Sequence, residues 1–136
     1  SDKVRAEGKA AFEKIVCQVA ASNDCTAEVR IDQGYPACKN DPRAVALTAD
    51  ISRDLFGEDA FVEMPSPIMG GEDFAYVLQR VPGCMAFIGV APPEEATPET
   101  RPGLHHAKMT VHEEWLTRGV ALHCAFATRF LASGWE

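Results

Sequence analysis

The sequence predicts an α/β chain, α+β overall, and three observations carry that expectation. Apolar residues recur three and four apart in several stretches, the spacing of one helix face. Between those stretches lie short apolar or alternating runs, Cys25 to Tyr35, Ala60 to Met64 and Cys84 to Ala91, which read as strands. Loop, helix and strand then follow one another from Ser66 to Ala91, the order of half an α/β layer.

Residues 1 to about 22 read as a helix that Ser1 or Asp2 caps. Val4, Ala11, Phe12, Ile15, Val16 and Val19 supply its apolar stripe. Asn23 is placed to close it as a left-handed cap. From Cys25, apolar Cys25, Ala27, Val29 and Ile31 alternate with Thr26, Glu28, Arg30 and Asp32. Period two is a half-buried strand with one wet face. Gly34 to Asn40 is a loop and a natural boundary between two regions.

Asp41 is placed to cap the second helix, and Pro42 fits its first position. Val45, Leu47, Thr48, Ile51, Leu55 and Phe56 form its apolar side, and Gly57 ends it. A short strand from Ala60 to Met64 stops at Pro65 and Pro67. The stretch Ser66-Pro67-Ile68-Met69-Gly70-Gly71-Glu72-Asp73-Phe74-Ala75 leads into a helix whose face is Phe74, Val77, Leu78 and Val81. Pro82-Gly83 ends that helix, and Cys84 to Ala91 reads as a buried strand.

Four prolines in the eleven residues from Pro92 to Pro102 forbid regular structure and predict a surface loop. Thr110 or His112 is placed to cap a last long helix, with Glu113 and Glu114 in its first turn. Leu116, Val120, Cys124 and Leu131, beside Trp115, Leu122, Phe126 and Phe130, make a wide apolar face. Gly119 sits among them and permits close packing.

Composition narrows the function classes. A length of 136 residues is about one domain, and 46% hydrophobic with 24% charged residues is ordinary for a globular chain. The net charge of −7 repels phosphate backbones, which argues against nucleic acid as a partner. No apolar run approaches the roughly 20 residues that span a bilayer, so no membrane role is expected. The five cysteines include no C-x-x-C pair, which argues against a disulfide scaffold or a cysteine zinc site. Reduced thiols in a cytoplasmic protein, most acting as small apolar residues with Cys38 the most exposed, fit this pattern.

Few residues offer chemistry. Gly70 and Gly71 allow close backbone approach, and the free N–H groups of the following helix start favour an anion or polar ligand. The plainer alternative is a loop with an acidic helix start. Glu72 and Asp73 are an acid or base without an obvious partner in sequence. His105 and His106 are adjacent, so their side chains diverge; His112 and His123 read as structural. No G-x-S-x-G, H-E-x-x-H or phosphate loop is present.

The ordered series Gly34-Tyr35-Pro36, Asn40-Asp41, Met69-Gly70-Gly71-Glu72-Asp73-Phe74-Ala75, Val81-Pro82-Gly83, Ile88-Gly89, Leu104-His105-His106 and Arg118-Gly119-Val120-Ala121 covers nearly the whole chain. It resembles the C-terminal part of the metal-dependent amidohydrolases that include hippurate hydrolase, N-acyl amino acid aminoacylases and auxin-conjugate hydrolases. The resemblance implies that residues 1–35 end an α+β lid and dimerisation domain. It implies that residues 36–136 form the C-terminal part of a two- or three-layer α/β catalytic domain. It also implies a hydrolase of N-acyl amino acid amide bonds, with two divalent metal ions, zinc or manganese, activating a water. On this resemblance His105 is a metal ligand, and Gly70, Gly71 and Glu72 line the substrate cleft.

The remaining ligands of that family, a His-x-Cys-Gly-His-Asp type motif, adjacent glutamates and a further histidine, have no counterpart here, and neither does the general base. Glu94-Glu95 and Glu113-Glu114 stand at the wrong places to replace the glutamate pair. The expectation is a fragment that is inactive alone, holds no metal stably, and either self-associates as a homo-oligomer or lacks an N-terminal half. A non-catalytic binding or dimerisation module is the alternative, and a split enzyme completed by a second chain is a third.

Overall fold

The computed structural model describes residues 2–92 and 102–135. Ser1, one of the two expected helix caps, and Glu94-Glu95 with most of the proline-rich loop lie outside the described residues. The order of elements is α1 (Asp2–Ala21), α2 (Pro42–Phe56), a 3-10 turn (Glu58–Ala60), α3 (Phe74–Leu78) and α4 (Glu114–Ser133).

No strand is present among the described residues, which corrects the expected α/β class, its lid strand and its layered sheet. A strand exists only through a ladder to a neighbour, and the bonds made in the first and last of the three extended runs go elsewhere. Tyr35 gives its carbonyl to the Arg5 guanidinium. Met85 is held by the Asn40 side chain, and the Val90 carbonyl by the His112 N–H at 2.8 Å. The expected strand at Ala60 begins instead inside the 3-10 turn.

The chain divides into two units, Ser1–Lys39 with Pro67–Val81, and Asn40–Ser66 with Pro82–Glu136. In the first, α1 ends in a turn where Cys25 N–H donates to the Ala20 carbonyl at 2.9 Å. Asp24, not Asn23, takes the left-handed conformation there, with φ 54°. Short polar side chains tolerate it. The extended segment then runs back along α1. Cys17 Sγ lies 4.0 Å from the Ala27 carbonyl, and Lys9 Nζ donates to Gln33 Oε1 at 3.1 Å.

The half-buried residues of α1, among them Arg5, Lys9, Val16 and Ala20, share one face. Val4, Phe12, Ile15 and Val19 of the expected apolar stripe are 57% to 65% exposed. In α3, regular helix stops at Leu78, but Val81 N–H still donates to the Val77 carbonyl at 2.9 Å, so the turn persists to the expected end. Ala75 is its buried residue.

The second unit is built on α2 against α4. Asp41 Oδ1 accepts the Arg43 N–H at 2.9 Å, Pro42 opens α2, and Gly57 closes it with φ 101°, all as expected. The buried face is Ala44, Thr48, Ala49, Ile51 and Ser52, narrower than expected because Leu55 is exposed. Fully buried Ile51 contributes about 1.5–3 kcal/mol relative to an exposed side chain. The Thr48 and Ser52 hydroxyls donate to the Ala44 and Thr48 carbonyls at 2.7 Å, so neither buried oxygen lacks a partner.

One half of the expected α4 face, Trp115, Leu122, Phe126 and Phe130, is half-buried; the other half, Leu116, Val120 and Leu131, is exposed. Arg129 pairs with Asp54 at 2.7 Å, and Arg43 lies 5.1 Å from the Trp135 ring, so both ends of α2 are tied to the C-terminal region. Gly119 packs closely, as expected: a Cβ there would lie 2.9 Å from Ile88 Cδ1. α4 starts at Glu114, and Glu113 at its N-cap makes no side-chain cap bond; His112 contributes its backbone carbonyl, bound by the Trp115 N–H at 3.0 Å.

Candidate functional site

In the first unit two distant motifs meet. A Cβ on Gly71 would lie 3.1 Å from Tyr35 Cδ2, so the glycine loop packs directly on the ring of Gly34-Tyr35-Pro36. A side chain at position 71 would have to push the Tyr35 ring aside by a few tenths of an ångström. Tyr35 is also set edge-to-face on Tyr76, with ring centroids 6.1 Å apart. Gly70, Gly71 and Glu72 thus belong to a loop held against an aromatic pair.

The Glu72 carboxylate accepts the Phe74 N–H at 3.1 Å and so satisfies a free donor at the start of α3. Its charge also faces Cys38. Partial desolvation, and after it this negative charge, push the Cys38 thiol above its ordinary range. Cys38 is exposed as expected, but so are Cys17, Cys25 and Cys124; only Cys84 is half-buried, so the expectation of mostly apolar, packed cysteines is corrected.

In the second unit Asn40-Asp41 and Pro82-Gly83 come together. Asp41 N–H donates to the Gly83 carbonyl at 2.8 Å. Cys84 Sγ lies 3.2 Å from Thr48 Oγ1 and donates to the Ala44 carbonyl at 3.5 Å. Asp41 is held at about 2, well below the usual carboxylate range. The Arg43 guanidinium hydrogen bond is the main cause, and the Arg43 N–H adds to it.

His105 is exposed and left-handed, with φ 69°. That conformation costs a non-glycine residue about 1 kcal/mol and is concentrated at turns and functional sites. The surrounding turn imposes it: His106 N–H donates to the Gly103 carbonyl at 3.1 Å, and Met109 N–H to the His106 carbonyl at 2.9 Å. His106 Nδ1 accepts the Lys108 N–H at 3.1 Å. The His105 imidazole has no hydrogen-bond partner among the described residues.

A catalytic zinc takes about three protein ligands. Among the described residues no group of three His, Cys, Asp or Glu is placed to hold a metal ion. His105, with no such set of ligands placed beside it among the described residues, does not fit a two-metal centre.

Sequence reasoning missed the grip of Asn40 on Met85, whose only signal was an amide side chain beside a cap. It also missed Arg118, which lies 3.8 Å over the Trp115 ring and 5.5 Å from the Phe56 ring. The signal there was the spacing of three between Trp115 and Arg118 on one helix. No helix among the described residues is long and apolar enough to cross a membrane.

Comparison with known proteins adds to this geometry. Residues 3–129 match the family described as Peptidase family M20/M25/M40. The chain is 32% identical over 127 residues to IAA-amino acid hydrolase ILR1-like 4 of Arabidopsis thaliana, covering 90% of this chain and 28% of that protein. It is 37% identical over 111 residues to N-acetyldiaminopimelate deacetylase of Streptococcus pneumoniae, covering 79% of this chain and 26% of that protein. With the enzyme of the same name from Lactiplantibacillus plantarum it shares 32% over 114 residues, 81% of this chain and 26% of that protein. The chain spans about a quarter of the length of these curated relatives. The resemblance to metal-dependent amidohydrolases, read from the motif series, is borne out.

Proposed function

Because the chain belongs to peptidase family M20/M25/M40, we propose that it is the C-terminal portion of a metal-dependent hydrolase that removes the acyl group from N-acyl amino acids. The names of the relatives support the bond class: one names a conjugate of an amino acid, the others an N-acetylated compound. The observation that carries the reading is the seating of the glycine loop on Tyr35, which brings two segments of the family pattern to one place.

In this reading Gly70 and Gly71 present bare backbone as a cleft wall. Glu72 fixes the start of α3 rather than acting as a base, because its carboxylate is bound to the Phe74 N–H. His105 offers one imidazole to a metal centre whose other ligands this sequence lacks. Zinc or manganese would supply an activated water in the complete enzyme. The chain alone turns over no substrate and retains no stoichiometric metal.

The test is an assay of the purified chain on N-acetyl amino acids with added zinc or manganese, together with metal analysis after dialysis. No release of amino acid and less than one metal per chain are expected. Turnover by the chain alone that a chelator abolishes would overturn the proposal. The exposed apolar face of α1 favours a second reading, a dimerisation module without catalysis, and a dimer in sedimentation equilibrium is its expected signature.

A further inference from the structure

In the first unit a cavity of about 310 Å3 opens between the first turns of α1, the turn from Gln33 to Pro36, and α3. Arg5 and Lys9 line it, four residues apart and therefore on one face of α1. Both are half-buried. Each gives one donor to a neutral acceptor, Arg5 to the Tyr35 carbonyl and Lys9 to Gln33 Oε1. Among the described residues neither is paired with a carboxylate. What sets them apart is position: the two cations stand on one face of α1 and line the same cavity, so both can reach one ligand.

The rest of the lining suits an acceptor-rich ligand. With Gln33 Oε1 taken by Lys9, the amide nitrogen of Gln33 remains as a donor. Gln79 adds a second amide, and Asp2 is the one carboxylate among the lining residues. Ala6, Pro36 and Tyr76 supply apolar surface. The volume is at the small end of ligand pockets, which fits a metabolite-sized acid.

We propose that this cavity binds a small organic carboxylate, its charged end on Arg5 and Lys9 and its carbon portion against Ala6, Pro36 and Tyr76. A guanidinium fork takes a carboxylate in bidentate geometry, and the ammonium adds a second charge-assisted bond. The proposal is independent of the hydrolase reading, since it uses no metal and no residue of the Gly70–Glu72 loop.

The test is an amide-resolved NMR titration of the chain with sodium succinate, sodium acetate and sodium chloride at matched ionic strength. Saturable shifts at Arg5, Lys9, Gly34 and Tyr76 are expected with the carboxylates and not with chloride. Lys9→Gln should weaken succinate binding at least tenfold, and Lys9→Arg should restore it. Gln33→Glu, which gives Lys9 an internal counter-ion, is the second variant and should also abolish saturation. Arg5 is left intact because it holds the Tyr35 carbonyl. Linear shifts, equal shifts with chloride, or saturable binding indifferent to both Lys9→Gln and Gln33→Glu would each overturn the proposal.

Discussion

Asn40 grips the backbone of Met85 with both ends of its amide: Nδ2 donates to the Met85 carbonyl at 3.0 Å, and the Met85 N–H donates to Oδ1 at 2.9 Å. A side chain here does what a neighbouring strand does elsewhere. Together with the Asp41–Gly83 bond it pins the start of α2 to the run after Pro82. Asn40→Ala removes both bonds and should cost about 1–2 kcal/mol, read as a lower urea midpoint. Asn40→Asp sets a carboxylate against the Met85 carbonyl and should cost at least as much.

The core is small, so one residue matters. Ile51 has no exposed surface. Ile51→Ala should destabilise by about 2–5 kcal/mol and Ile51→Val by about 0.5–1.5. Leu131→Ala, at a position 84% exposed, should stay within about 0.5 kcal/mol. Equal losses at both positions in denaturant titrations would contradict the burial described.

Asp41 links stability to acid. Its carboxyl titrates at about 2 in the folded chain against an ordinary value of 3.8. A lowered folded value means the contribution is complete above about 4 and is lost as pH falls through 2. Thermal midpoints of the wild type and Asp41→Asn should therefore differ most at neutral pH and converge between pH 4 and 2. A constant gap across that window would remove Asp41 as the cause.

His105 separates stability from function. Its positive φ should make His105→Gly neutral or stabilising by up to about 1 kcal/mol. The same change should abolish the activity obtained when the chain is combined with an N-terminal portion from a relative, if the imidazole is a ligand in the complete enzyme. Full activity of the combined His105→Gly protein would remove His105 from the centre.

Cys38 reports on the loop. Glu72→Gln deletes the second cause of its raised titration and should speed alkylation of Cys38 at pH 8, where thiolate is the reactive form. The rate at Cys17, remote in sequence from that loop, is the internal control. An unchanged rate ratio would mean that Glu72 does not face the thiol.

The helices were legible because their signals are local. Asp41, Pro42 and Gly57 act within a few residues of where they stand, and the periodic apolar positions of α2 needed no distant partner to be recognised. The strands failed for the opposite reason. Alternation from Cys25 to Ile31 and the apolar run from Cys84 record an extended shape, but pairing is non-local, and no described segment supplies a ladder. The same gap explains α1. Its stripe was read correctly as apolar, yet the chain returns along the face of Arg5 and Lys9 instead. Of the site, Gly71 was legible as a close-approach glycine. That Tyr35 is what approaches it follows only from the folded chain.

The bare stripe of Val4, Phe12, Ile15 and Val19 has a consequence for handling. A rigid rod with greasy side chains along one edge and lysines and glutamates elsewhere behaves as a surfactant. It favours collection at an air–water boundary, where the apolar edge leaves water. Vigorous shaking will therefore deplete the bulk by film formation, and replacing Phe12 and Ile15 with glutamine will keep the material in the liquid.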